Sequence, residues 1–202
     1  KQAELFPSIS SRDWQKKKFL FPKNIINLAT LFSGIGAIEH ALKRLKLKSN
    51  IVFAGDIDPH VKDAYFSNYN INQENWHDDV TQFSAKKYRG KVDLLVAGSP
   101  CQSFSMAGRR GGMDDARGTL FYEFIRVVQE SNPKIFIFEN VRGVLNHDRG
   151  NTWRVMKDIF TSLSNYSCTF KILNSVDYGI PQSRNRLFVV GIRKVIKGLK
   201  DV

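Results

Sequence analysis

A cysteine follows a proline at the end of an apolar run: Gly98, Ser99, Pro100, Cys101 and Gln102 come directly after Val92–Ala97. A second apolar run, Ile135–Phe138, leads into Glu139, Asn140 and Val141. Open α/β sheets build their sites at the carboxyl ends of neighbouring strands, so the two runs predict a thiol and a carboxyl group side by side, and with them covalent chemistry. The thiolate is the reactive form of cysteine, and it needs a nearby positive charge or a helix N-terminus. Pro100 stiffens the start of the segment. Beyond it, Gln102, Ser103, Phe104 and Ser105, then Gly108, Arg109, Arg110, Gly111 and Gly112, make a basic, glycine-rich stretch suited to closing over a substrate phosphate. A lone cysteine is more often a buried, inert thiol, but a Pro-Cys step followed by polar residues is not core sequence. Desolvation among apolar residues favours the neutral form of Glu139 and makes it a proton donor; a capping or ion-paired glutamate is the alternative. Arg184 and Arg186 flank Asn185, and at alternate positions of a strand they share a face on which one ligand meets both. Surface salt bridges are the other reading of that pair.

A second constellation suits an adenosine-type ligand. An apolar run ends in Phe32, Ser33, Gly34, Ile35 and Gly36 ahead of a helical pattern, and such glycines let a ligand approach backbone and helix N-terminal N–H groups. About 20 residues further on, the next run ends in Asp56, where a carboxylate can accept hydrogen bonds from ribose hydroxyls. A dinucleotide fingerprint would need a third glycine where Glu39 stands, and a carboxylate there would repel a pyrophosphate. Glu39 suits a positively charged ligand, such as the ammonium or sulfonium of S-adenosylmethionine, or else simply faces solvent. Asp79, just before Val80 and Thr81, is suited to an adenine amino group or, as the commoner role, to capping a turn.

The elements that must position these groups are legible as alternating runs. Strands are expected at Ile25–Leu31, Ile51–Asp56, Val92–Ala97, Ile135–Glu139, Cys168–Leu173 and Leu187–Gly191. Helices are expected at Ile38–Leu47, Pro59–Tyr69, Leu120–Ser131 and Thr152–Leu163. The alternation predicts an α/β fold with a mostly parallel sheet and helices on both faces. The last two strands have no helix between them, which predicts an antiparallel pair at one edge. Residues 1–23, with Trp14, the run Lys16–Lys18, Phe19 and Phe21, show neither period and are read as a basic arm; residues 24–202 are read as one domain.

Composition narrows the class. With 31 Lys and Arg against 19 Asp and Glu, the formal net charge is +12, which favours a polyanionic partner, nucleic acid first. Two distant cysteines and four scattered histidines offer neither a disulfide framework nor a metal-ligand spacing. No run approaches the roughly 18 apolar residues that span a bilayer, so a soluble, reducing, cytoplasmic setting without metal or membrane is expected.

In order, these segments resemble the DNA cytosine-5 methyltransferase family. Leu31 to Gly36 is similar to its first cofactor motif, Gly98 to Gln102 to its Pro-Cys motif and Glu139-Asn140-Val141 to its glutamate motif. Arg117-Gly118-Thr119-Leu120-Phe121 is similar to its Arg-Gly-x-Leu-Phe stretch, and Gln182 to Arg186 to Gln-x-Arg-x-Arg. The resemblance implies the Rossmann-like fold of S-adenosylmethionine-dependent methyltransferases. It also implies a flipped-out cytosine in double-stranded DNA, attacked at C6 by Cys101 while Glu139 holds and protonates N3. Arg186 and Arg184 would contact the base carbonyl or a nearby phosphate, and Gln102 and Ser105 would support the flipped nucleotide. The S-adenosylmethionine pocket, which retains S-adenosylhomocysteine as product, would draw on Phe32, Ser33, Gly34, Ile35, Gly36, Asp56, Ile57, Asp79, Gly98, Pro100 and Leu120. Family members also carry a target-recognition region and a returning final helix, and neither is found after Gly191. The expectation is therefore a catalytic part of a longer protein, or a second polypeptide that supplies recognition, in a bacterial restriction-modification setting. The rivals are a transfer RNA cytosine-5 methyltransferase, a non-catalytic nucleic-acid binder and a nicotinamide-dependent oxidoreductase. Cys101 with Glu139 argues against the binder, and Glu39 against the oxidoreductase.

Overall fold

The computed structural model describes residues 23–100 and 119–194. The expected arm up to Pro22, the residues Cys101, Gln102 and Ser105, the basic stretch Gly108–Gly112, and Arg117-Gly118 lie outside the described residues, as does 195–202. Among the described residues, six strands and four α-helices follow in chain order: β1 (Ile26–Leu31), α1 (Ala37–Arg44), β2 (Ser49–Phe53), α2 (Pro59–Asn68), β3 (Leu94–Gly98), α3 (Thr119–Ser131), β4 (Ile135–Val141), α4 (Asn151–Ser162), β5 (Tyr166–Asn174) and β6 (Asn185–Arg193).

They form one sheet in the order β2-β1-β3-β4-β6-β5. The pairs β1–β2, β1–β3 and β3–β4 are parallel, while β6 runs antiparallel to both β4 and β5. The antiparallel edge expected from the helix-free connection is this last pair, with β6 inserted between β4 and β5. Strands buried on both faces carry unbroken apolar runs, and β3 and β4 do so because helices cover each side.

Alternation along β4 divides the interior. Phe136 and Phe138 point to one face, where they meet Phe121 and Phe124 of α3 and Phe160 of α4 at ring separations of 5.1–5.9 Å. Ile137 points to the other face, where it packs with Leu28, Val96 and Leu42 of α1. Glu139, two residues beyond Ile137, falls on that second face.

Local chemistry explains the element ends. Asp58 caps α2 by accepting from the His60 N–H at 2.9 Å, with Pro59 in the first turn, where its missing N–H costs nothing. β2 starts two residues earlier than its apolar run, because Ile26 pairs with Ser49. It stops at Phe53, since Ala54 bridges to Trp76 instead, and Asp56 therefore sits in the loop beyond the strand rather than at its last residue. β4 runs on to Val141 because β6 pairs with it as far as Arg186. Among the described residues there is no helix long and apolar enough to cross a membrane and no cluster of metal-ligating side chains.

Two measurements probe this core. Phe138→Ala should lower the unfolding free energy by about 3–5 kcal/mol in a urea titration, as fully buried aromatic truncations do. His77 stacks on Phe83 with ring centroids 4.1 Å apart; burial, reinforced by the Lys87 ammonium, pushes its imidazole down to about 4 from 6.5. The unfolded chain takes up that proton first, so the stability held by neutral His77 is complete above 6.5 and is lost as pH falls toward 4. Thermal melts over that range should show a smaller acid loss for His77→Phe than for the parent.

Candidate active site

Residues 32–36 leave β1 in a tight path: Phe32, Gly34 and Gly36 have φ of 53°, 54° and 85°. A non-glycine residue in this region costs on the order of 1–3 kcal/mol, so Phe32 must be held by its surroundings. Gly36 has no alternative, because a Cβ there would lie 2.0 Å from the Tyr69 ring. The loop is tied to the end of β2 by a set of hydrogen bonds. Ser33 N–H donates to the Gly55 carbonyl at 3.0 Å, Gly55 N–H donates back to Ser33 Oγ at 3.0 Å, and Gly34 N–H donates to Asp56 Oδ2 at 2.9 Å. Asp58 N–H donates to Asp56 Oδ1 at 3.2 Å. The Asp56 carboxylate is thus oriented by backbone on both oxygens and sits directly against the glycine loop. Helix α1 begins at Gly36 without a side-chain cap, which leaves its first N–H groups to other partners. Ile35 and Ile57 stand on either side, 69% and 77% exposed.

The second half of the site comes from β3 and β4. Their parallel register sets Gly98 opposite Glu139, and a Cβ on Gly98 would lie 3.0 Å from Glu139 Oε2. The glycine makes room for the carboxyl group. Buried Asn140 reaches back with its amide to Ser99, at 3.2 Å to Oγ and 3.4 Å to the carbonyl, fixing the end of β3 just before exposed Pro100.

Antiparallel β6 then brings Arg186 to Glu139, with Nε 2.8 Å from Oε1. Arg184 lies exposed one residue before the strand, and its charge also acts on Glu139. Burial pushes the Glu139 carboxyl above its ordinary range, and Arg186 and Arg184 oppose that shift without cancelling it. Glu139 is thus desolvated and ion-paired at once.

A cleft of about 600 Å³ joins the two halves. Phe32, Ser33, Gly98 and Glu139 line it together with apolar residues such as Ile38, Phe188 and Val190. Of the other sequence-derived residues, Asp56 is linked to this loop through Gly34. Asp79 lies near the same end of the sheet, because Trp76-His77 runs beside Ala54-Gly55. Its Oδ1 accepts from Thr81 N–H at 2.8 Å, the capping role. Leu120 packs partly buried on the main core. A cleft of about 660 Å³ opens at the opposite end of the strands around Asn27, Asn50 and Asn72, and holds none of these residues.

Two further findings separate structure from sequence. Glu39 faces neither solvent nor the cleft: it is 4% exposed and accepts hydrogen bonds from Tyr65 at 2.6 Å and Thr30 at 3.1 Å. Thr30 and Tyr65 were invisible as site residues, since each reads as an ordinary member of its strand or helix. Cys168 is half-buried, donates to the Phe160 carbonyl, and burial pushes its thiol up to about 11, the mark of an inert cysteine.

The family model described as C-5 cytosine-specific DNA methylase matches residues 26–200. The chain is 41% identical to the orphan methyltransferase M.SPRI of Bacillus phage SPR over 169 residues, 84% of this chain and 38% of that protein. To the type II methyltransferase M.Eco47II of Escherichia coli it is 37% identical over 195 residues, 90% of this chain and 45% of that protein. It therefore spans less than half the length of either curated relative. Among solved structures, a putative DNA modification methyltransferase encoded within an E. coli prophage superposes with a TM-score of 0.63 at 27% identity, over 84% of this chain and 47% of that one.

The opposed influences on Glu139 make a direct prediction. Arg186→Leu removes the closer guanidinium, so the Glu139 carboxyl should titrate at higher pH, read from its ¹³C shift in glutamate-labelled protein. An unchanged midpoint would show that the pair does not set its protonation.

Proposed function

Since this chain belongs to the C-5 cytosine-specific DNA methylase family, we propose that it carries the cofactor-binding and catalytic part of an enzyme that methylates C5 of cytosine in double-stranded DNA, in a restriction-modification setting. Residues 24–202 form that domain in this reading, and the basic arm before it adds affinity for the DNA backbone. The observation that carries the proposal is the Gly98–Glu139 register, with an elevated carboxyl placed beside the strand that leads into Pro100 and Cys101.

The target base leaves the stack to meet these groups. Attack on cytosine C6 by the Cys101 thiolate forms the S–C6 bond and pushes the ring electrons toward N3. Glu139, whose carboxyl burial pushes upward, donates a proton to N3 and so avoids a full negative charge on the ring. The enamine that results is nucleophilic at C5. After C5 is alkylated, a base takes the C5 proton, the electrons of that C–H bond re-form the C5–C6 double bond and expel the thiolate, and N3 returns its proton to the Glu139 carboxylate. Arg186 orients Glu139 and, with Arg184, contacts the base carbonyl or the adjoining phosphate; Gln102 and Ser105 support the displaced nucleotide.

S-Adenosylmethionine supplies the methyl group as an electrophilic sulfonium methyl. The residues present fit it. Asp56 offers the remaining lone pairs of a backbone-oriented carboxylate to ribose hydroxyls, and Phe32, Ile35 and Ile57 offer apolar surface. Ser33, Gly34 and Gly36 let backbone approach the ligand. Gly98, Pro100, Asp79 and Leu120 complete the proposed cofactor set.

Duplex DNA carrying 5-fluorocytosine tests this reading, because fluorine cannot leave as the C5 proton does and the adduct persists. Incubation with S-adenosylmethionine should give a covalent protein–DNA species that Cys101→Ser abolishes, and an adduct surviving that substitution would remove Cys101 from its role. Parallel incubation with duplex DNA and RNA, using radiolabelled methyl groups, should label the DNA.

A further inference from the structure

The network behind the glycine loop has a member the proposed chemistry does not use. Oε1 of Glu39 in the first turn of α1 accepts from the Tyr65 hydroxyl of α2 and from the Thr30 hydroxyl of β1, so one oxygen gathers three elements. Thr30 Oγ1 also lies 2.8 Å from Ser33 Oγ, and Ser33 is the residue that joins the loop to Gly55.

A hydroxyl carries one hydrogen. With Thr30 donating to Glu39, Thr30 can only accept in its contact with Ser33. Ser33 therefore gives its one hydrogen to Thr30, and its oxygen keeps a lone pair for the Gly55 N–H. Without an acceptor at position 39, the Thr30 hydrogen turns toward a lone pair of Ser33 Oγ, and the Ser33 hydrogen is left with the Gly55 carbonyl, which the Ser33 N–H already uses. Gly55 immediately precedes Asp56, whose carboxylate holds Gly34. The donor order therefore runs from a carboxyl group outside the cleft to the carboxylate expected to meet the ribose.

We propose that Glu39 is a positioning residue for the cofactor site, acting through Thr30 and Ser33 to hold Gly55 and Asp56 against the glycine loop. The inference rests on the cofactor reading above. Burial keeps the Tyr65 phenol protonated well above its usual range, so Tyr65 remains a donor and steadies the same oxygen. Glu39 Oε2 is buried and has no hydrogen-bond partner among the described residues. This makes the two obvious substitutions informative in different ways. Glu39→Gln keeps an acceptor for both hydroxyls but puts an amide N–H where no acceptor waits, a cost to stability. Glu39→Leu removes the acceptor itself.

Calorimetric titration with S-adenosylhomocysteine, thermal melts, and hydrogen exchange over residues 32–37 and 53–58 read the two effects apart. Glu39→Leu should weaken binding about tenfold and speed exchange in both segments, whereas Glu39→Gln should bind within about threefold of the parent despite a lower Tm. Thr30→Val, with Glu39 intact, takes away the acceptor of the Ser33 hydrogen and leaves it the same Gly55 carbonyl, so it should reproduce the loss of Glu39→Leu and serves if the leucine variant does not fold. Affinity that simply tracks Tm across the variants, or a folded leucine or valine variant binding as tightly as the parent, would overturn the proposal. A parent that fails to bind while exchange still follows the expected pattern would overturn the cofactor reading and leave the link from Glu39 to Gly55 and Asp56 supported.

Discussion

The parallel register between β3 and β4 is the constraint on which the site depends. It places Gly98 opposite Glu139, and because side chains alternate along a strand, a slip of one residue would send the carboxyl group into the phenylalanine core and a phenylalanine into the cleft. The register is enforced from the other face. Phe136 and Phe138 fit among Phe121, Phe124 and Phe160, which fixes the face that β4 turns to the core, and the close approach of Gly191 to the Phe136 ring, where a Cβ would overlap it, favours the observed β4–β6 alignment. The tight packing of aromatic rings on one side of the sheet thus determines where an acid stands on the other.

Glu139 then experiences two opposed influences that different elements supply. Burial at the end of β4 favours its neutral form, and Arg186 from antiparallel β6 favours its charged form at 2.8 Å. Net elevation of the carboxyl, despite a guanidinium in contact, is what a group needs if it is both to be oriented by a cation and to give up a proton. The insertion of β6 between β4 and β5 is what makes the combination available, because only a strand bonded directly to β4 can bring an arginine to that position.

The glycine loop shows a comparable division between ligand-facing and supporting groups. Its left-handed residues shape the turn beside the cleft, while Thr30, Glu39 and Tyr65 form a buried polar network joined to it through half-buried Ser33. Networks of this kind are costly when half satisfied, and the unpartnered Glu39 Oε2 marks where this one stops. The strain at Phe32 is affordable only because the loop is tied to β2 at Ser33 and Gly34.

Several parts of this arrangement follow from local rules and were legible without coordinates. The apolar runs of β3 and β4, the glycines at 34 and 36 and the helix-free link between the last strands each carry their meaning within a few residues. Desolvation and ion pairing, alternatives in the sequence, coexist at Glu139. What no local rule contains is contact across distance. Glu39 reads as a surface glutamate of an amphipathic helix until Tyr65, 26 residues away, is seen beside it, and Arg186 has no visible partner until β6 is paired to β4. The order of residues along the chain determined which groups are present and at which strand ends they lie; tertiary packing alone decided which of them share a low-dielectric space, because burial and charge proximity, the causes of their altered chemistry, are properties of the assembled sheet.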